Sequence, residues 1–412
     1  MSTQAHHLLQ PLLLTPSLHL RNRIVMSSLT RNRCIDANKP TPKTATHYAT
    51  RAKDGVGLII SEGIFIYLNG CDYEHTPVLY KEEHVAPWKM VTDAVHKEGG
   101  VIFAQLWHPG RSQNENMPML RDANYPVLAP SAIPSESGSY HLLDGKPPHT
   151  RSPTAMTKTH IQEILKQYTT SASLAKAAGF DGIEVLAQGD FLVHNFLLSR
   201  SNNRSDEFGG STKNRTRFPL TLLEALTSVF PASRIGIKIS PSDNMGDTAS
   251  PVSETTATYT RLIEECVAMN FGYICLSRRG VMEDGKSVER PEGMELDEGY
   301  DVLETFGGLV RGKKSGSETK LMVNYECGVE EAEGLLGEGK VDFVGFGRPF
   351  ICNPVCVLSF FFIFFSSSLG GFVYVWERDC VFVSGREKDK GECGLIFFSP
   401  VRGEGTGFRI AC

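Results

Sequence analysis

The residues able to do chemistry in this 412-residue chain share one address, the end of a short apolar run. In chain order they are Ser28 and Thr30, Glu62 and Gly63, Gln105 with Trp107 and His108, Gln188 with Asp190, Lys238, Ser277, Asn324, and the pair Gly347-Arg348. Most are amides, hydroxyls or small residues, joined by two cations. Amides both donate and accept, and Lys and Arg supply positive charge, so the set suits an anionic ligand rich in hydrogen-bonding groups. It offers no facing carboxylate pair for glycoside hydrolysis, and the chain has no HExxH or HxH motif for a metal. Ten cysteines give no CxxC pair and no zinc-ligand spacing. The net charge of -5 is mild and favours neither nucleic acid nor an anionic membrane as partner.

The runs that carry these residues span 23–29, 56–63, 100–107, 180–187, 234–240, 271–277, 319–325 and 341–347. They are rich in Val, Ile and Leu with little polar alternation, as parallel strands buried on both faces are. Helix-period stretches at 84–98, 160–178, 216–230, 252–269 and 329–336 lie between them. Gly99, Gly179 and Gly337 follow as helix stops, and Pro231 ends another. Eight such strands in sequence predict a (β/α)8 TIM barrel, whose ligands bind at the strands' C-terminal ends. The absence of a GxGxxG after the first strand argues against a doubly wound dinucleotide fold. In a barrel, phosphate commonly sits after strands seven and eight, where Asn324 and Gly347-Arg348 stand. An insertion at 109–157, rich in Pro, Ser and Gly, is expected to be a lid or loop over the site.

After Pro354 the pattern fails. An eighth helix is due, but 355–412 is Phe-rich, with ten of the chain's 23 Phe beyond residue 354. Three readings stay open. The uncharged stretch 355–376 is long enough to span a membrane as an anchor. It could also be an unusual barrel cap. The preferred reading is a translated intron or frame error, since the codon of Val355 opens with GT. The barrel is therefore expected over 8–354, lacking a normal eighth helix, with 355–412 not a domain. The N-terminal MSTQAHHLLQ has no basic region of the signal-peptide kind, so a cytoplasmic setting is expected.

Five stretches carry a resemblance: IVMSSLTRNR (24–33), DAVHKEGGVIFAQLWHPGR (93–111), SNNRSDEFGGSTKNRTRF (201–218), EGYDVLETFG (298–307) and VDFVGFGRPFICNP (341–354). They resemble the old yellow enzyme family, FMN-dependent NAD(P)H oxidoreductases and ene reductases built on a (β/α)8 barrel. The resemblance implies FMN as cofactor and NADPH or NADH as reductant. It puts Ser28 and Thr30 under the flavin, and Gly63 and Gln105 at the pyrimidine edge. Lys238 falls where the family commonly has Arg, facing charge that develops at N1/O2. Gly347 and Arg348 fall at the phosphate, with Asn324 in the strand-seven phosphate loop where the family more often has Gly. Arg204, Asp206, Asn214, Arg215 and Arg217 are dense enough to scaffold the active-site loop.

The same resemblance exposes a departure. The family grips a substrate carbonyl with H-x-x-N or H-x-x-H at the end of strand four and protonates with a Tyr two residues on. Here those positions hold Leu186, Gly189 and Phe191, and His194 is the nearby substitute candidate. The expectation is an FMN oxidoreductase passing electrons to an unsaturated, enone-type small molecule or to oxygen. The alternative is an FMN-binding protein without ene-reductase activity.

Overall fold

Val25, Leu58, Ile60, Phe103, Tyr273, Cys275, Met322 and Phe343 meet in one interior cluster because eight strands close around them. The computed structural model describes residues 6–71, 74–135, 152–278, 290–312, 316–353 and 357, with the backbone of three short strands beyond. The barrel strands are β1 (Ile24–Met26), β2 (Leu58–Phe65), β3 (Ile102–Trp107), β4 (Gly182–Ala187), β5 (Ile235–Ile239), β6 (Tyr273–Ser277), β7 (Lys320–Asn324) and β8 (Phe343–Phe346). All pair in parallel and in chain order, and β8 closes on β1. The expected eight-stranded TIM barrel is the fold found.

Alternate residues enter the barrel, and glycines admit the large ones. A Cβ on Gly236 would lie 2.2 Å from the Tyr273 ring, and one on Gly182 would lie 2.5 Å from Phe103. Only glycine fits beside those aromatics. An N-terminal hairpin, Leu12–Thr15 paired with Leu18–Leu20, joins Leu12, Leu14, Leu18 and Leu20 to the same cluster. It plugs the end of the barrel where the strands start, which leaves the other end for ligands.

The outer helices are α1 (Pro42–Lys53), α2 (Val85–Lys97), α3 (Lys158–Ala177), α4 (Arg217–Leu226), α5 (Val252–Ala268), α6 (Val302–Arg311) and α7 (Val329–Gly337). Periodicity had not singled out α1, whose buried face is only Thr44, Ala45, Tyr48, Arg51 and Ala52. Its start is set instead by the Thr41 cap, which accepts from the Thr44 amide, and by Pro42 at the first position. Gly99 and Gly179 take positive φ as expected of helix stops, whereas Gly337 ends α7 itself and Gly339 takes the left-handed turn.

After β8 come a short helix, Arg348–Cys352, and one helical residue, Val357, which is buried and donates its N–H to Asp54 Oδ2 at 2.7 Å. Arg51 of α1 donates to the Phe350 carbonyl, through Nε at 3.2 Å. The chain thus returns to α1 here. Whether a normal eighth helix follows, and the anchor reading of 355–376, lie otherwise outside the described residues. The strands Val375–Glu377, Cys380–Val383 and Ile396–Phe398 form an antiparallel sheet. Among the described residues no helix is long and apolar enough to cross a membrane.

Candidate active site

The mouth is built by a bulge. Ile60 pairs with Phe103, yet the next partner of Gln105 is Gly63, so β2 holds one extra residue at Ser61–Glu62. Ser61 Oγ fills the gap by accepting from the Gln105 amide at 3.1 Å. The extra residue turns Glu62 out of the barrel, where it accepts from the Arg31 amide at 3.1 Å. It also brings Gly63 beside Gln105. A Cβ on Gly63 would stand 2.5 Å from the Trp107 indole nitrogen, so this edge has room for backbone only.

Gln105 faces inward and donates Nε2–H to Glu184 Oε1 at 2.6 Å, while Tyr273 donates to Oε2 at 2.8 Å. Both carboxylate oxygens accept, the pattern of the ionised form. Burial pushes the Glu184 pKa up, opposed by the Lys238 charge and by these two hydrogen bonds. Lys238 is 8% exposed and acts on Glu184 and Cys275 through space, without a hydrogen bond to either. Gln105 and Lys238 sit on β3 and β5, on either side of the β4 strand that carries Glu184.

Across the barrel, Asn324 and Gly345 are register partners. A Cβ on Gly345 would lie 2.6 Å from Ser27 Oγ, and that buried hydroxyl has no hydrogen-bond partner. Asn324 is buried and accepts from the Cys275 thiol at 3.5 Å. Ser28 is half-buried and Thr30 exposed on the loop after β1. Gly347 caps the short helix after β8, and Arg348 reaches the loop after β7, pairing with Glu326 at 2.9 Å.

The side of the mouth formed by β2, β3 and β4 is apolar. Trp107 stacks on Phe65 with centroids 4.7 Å apart and meets Phe191 edge-on at 4.5 Å. Leu186 belongs to the same cluster, and Phe191 packs against it. Gly189 takes φ +60° and donates its N–H to Asp243 at 3.0 Å. His194 lies beneath this turn, 1% exposed, with Nδ1 against the Gly189 carbonyl. That contact ties its ring to the loop after β4.

The crowded segment 201–218 is a scaffold. Arg204 pairs with Asp206 and donates to the Pro130 carbonyl at 2.8 Å and to the Met156 carbonyl. Those two carbonyls flank the pairing of Leu128–Ala129 with Thr154–Ala155, within the 109–157 insertion, of which 109–135 and 152–157 are described. Residues 136–151 lie outside the described ones. Asn214 donates to Asp206, Arg215 to Leu197 and Thr258, and Arg217 to Glu207, so each carries structure. The sequence reading missed a second clamp. Arg111, fully buried, pairs with Asp190 at 2.6 Å and with Asp247 at 2.7 Å, joining the loops after β3, β4 and β5.

Residues 7–359 match the model of the NADH:flavin oxidoreductase / NADH oxidase family. The chain belongs to that family. It is 33% identical to 12-oxophytodienoate reductase 7 of Oryza sativa subsp. japonica, over 84% of this chain and 85% of that one. It is equally identical to a probable flavin mononucleotide-dependent alkene reductase of Leishmania infantum, over 81% and 85%. Among solved structures, morphinone reductase superposes with TM-score 0.74 at 32% identity, covering 87% of this chain and 90% of that one. The old yellow enzyme homologue from Zymomonas mobilis gives 0.73 at 28%, covering 86% and 92%.

FMN is the cofactor of this family, and the mouth fits it. The partnerless Ser27 hydroxyl, the cradle at Gly345, the Gln105 amide oxygen and the Lys238 ammonium are groups that a polar ring system can complete. Glu184 and Ser27 were not among the residues expected from sequence. A carboxylate inside an otherwise apolar strand was the available signal for the first, because a buried Glu requires partners.

Proposed function

We propose that this oxidoreductase takes up an apolar small-molecule acceptor beside Trp107, Leu186 and Phe191, without a side-chain grip on a carbonyl. The FMN supplies hydride or electron transfer between NADPH or NADH and that acceptor. Gln105, its nitrogen committed to Glu184, would accept through its oxygen from the pyrimidine edge of the flavin, and the backbone of Gly63, its strand partner, would hold the same edge. Lys238 stabilises negative charge there, less directionally than an Arg fork. Ser28 and Thr30 would hold the ring of the bound flavin, and Asn324, Gly347 and Arg348 would hold its phosphate. A reducing cytoplasmic setting accords with Cys34, Cys71, Cys266 and Cys275, all buried and none in a disulfide.

One observation carries the reading: Leu186 lies in an apolar cluster with Phe65, Trp107, Cys71 and Val78, and the partly buried Phe191 packs against it. A positioned general acid contributes ~10²–10⁴ in rate, and an oxyanion donor ~10²–10³. Neither is present at the three family positions, so the proton for enone reduction must come from water.

The test is anaerobic reduction of the yellow protein by NADPH or NADH, followed by mixing with cyclohexenone or with oxygen. Bleaching by the nicotinamide, rapid recovery with oxygen and slow recovery with the enone support the reading. Enone recovery at least as fast as that with oxygen overturns it. A second reading, a flavin protein with no turnover, rests on the same apolar positions; bleaching without recovery by any acceptor selects it.

A further inference from the structure

The loop after β7 contains two neighbouring non-glycine residues with left-handed backbone, Tyr325 at φ +78° and Glu326 at φ +52°. Such conformations are disfavoured for side chains with a Cβ and persist where surrounding contacts hold them. Glu326 has one such contact, a carboxylate pair with Arg348 at 2.9 Å that bridges the loops after β7 and β8. The carboxylate is the enclosed partner, 19% exposed, and the guanidinium the open one, 69% exposed.

These are the two loops to which the flavin reading assigns the phosphate. A guanidinium there offers its fork to any oxyanion, and a carboxylate matches it as a phosphate does. We propose that Glu326 is a built-in competitor for the cofactor's phosphate, holding Arg348 in the absence of flavin and repelling the phosphate once it binds. The inference rests on the FMN reading and deepens it. Glu326 sets how strongly this chain distinguishes a flavin with a phosphate from one without.

The consequence is specific to the phosphate. A carboxylate next to a group carrying between one and two negative charges costs about tenfold in affinity at solvent-like screening. Riboflavin has the same ring and ribityl chain without the phosphate, so it is insensitive to that charge.

The test measures dissociation constants of FMN and riboflavin by flavin fluorescence for the full native chain, Glu326→Gln and Glu326→Gly. Gln keeps the size and removes the charge; Gly also accommodates the left-handed turn, so one of the two stays folded if the other does not. The expected result is FMN affinity about tenfold higher in both variants with riboflavin affinity unchanged. An unchanged ratio of the two affinities, or equal tightening of both flavins, overturns the role of Glu326 while leaving flavin binding in place. Binding of neither flavin to any of the three proteins overturns the flavin reading and this inference together.

Discussion

Gln105 and Glu184, 79 residues apart in the chain, meet inside the barrel through a 2.6 Å hydrogen bond from amide nitrogen to carboxylate. The bond settles which way the amide faces. With Nε2 committed to Glu184, Oε1 is the amide atom left to accept from a ligand in the proposed flavin reading. The same carboxylate is the electrostatic counterpart of Lys238. Glu184 thus governs both the polarity and the net charge of the proposed pyrimidine edge.

Replacing Glu184 by Gln removes the negative charge and the reason for the amide's orientation. FMN binding is expected to weaken about tenfold, the loss of one net hydrogen bond. The two-electron midpoint potential is expected to rise by on the order of 30 mV, as Lys238 is no longer neutralised. Spectroelectrochemistry and a flavin titration read both. Unchanged values in a folded variant would mean that the amide orientation does not matter.

Polar groups can be returned to the apolar wall. In Leu186→His, Gly189→Asn, Phe191→Tyr the middle change suits its backbone, since Asn tolerates positive φ better than most residues and Gly189 sits at +60°. Tyr replaces Phe with one added hydroxyl. The triple variant is expected to reduce cyclohexenone ~10²-fold or more faster, the value of a general acid or an oxyanion donor. No gain in a flavin-loaded variant would show that these positions do not face the substrate.

The Arg111 clamp is open to a direct stability test. Arg111→Met leaves the carboxylates of Asp190 and Asp247 without their shared guanidinium in a site where Arg111 and Asp190 are 0% exposed. The expected loss is ~3–5 kcal/mol in urea unfolding. A loss under ~1 kcal/mol would place the coupling of these three loops elsewhere.

Two buried groups give opposite pH slopes. Burial pulls His108 down to about 3 from 6.5, and its Nδ1 accepts from the Gly110 amide as a neutral ring does. The unfolded chain then binds the extra proton between those values, so stability is full above pH 6.5 and is lost as pH falls. Burial raises Glu62 to about 7 from 4.5, so the folded chain holds the extra proton and stability falls as pH rises through that window. The two slopes oppose each other between pH 4.5 and 6.5, so Glu62→Gln should tilt the urea midpoint upward with pH relative to the native chain, and His108→Gln should tilt it downward. Parallel profiles for both variants and the native chain would contradict these assignments.

Local pattern made the barrel legible. Parallel strands covered on both faces need continuous apolar runs, and all eight runs became strands ending near the residues marked as chemical. The polar ends were visible because each breaks an apolar run. Less visible was α1, whose Thr and charged residues hide its period and whose start depends on a cap. The Arg111 clamp escaped because its partners lie 79 and 136 residues away.

What the chain's order of residues determined by itself was the barrel, the family and the absence of polar side chains at Leu186, Gly189 and Phe191. Each of these is written in contiguous stretches and in residue identity. The resemblance already put Gly63 with Gln105, but the tertiary structure supplied the reason, since one bulged residue shifts the register and reverses which side chain faces inward. The tertiary structure alone joined Gln105 to Glu184 and Glu326 to Arg348. Those pairings form when the ring of strands closes, and no local periodicity encodes a contact made by closure.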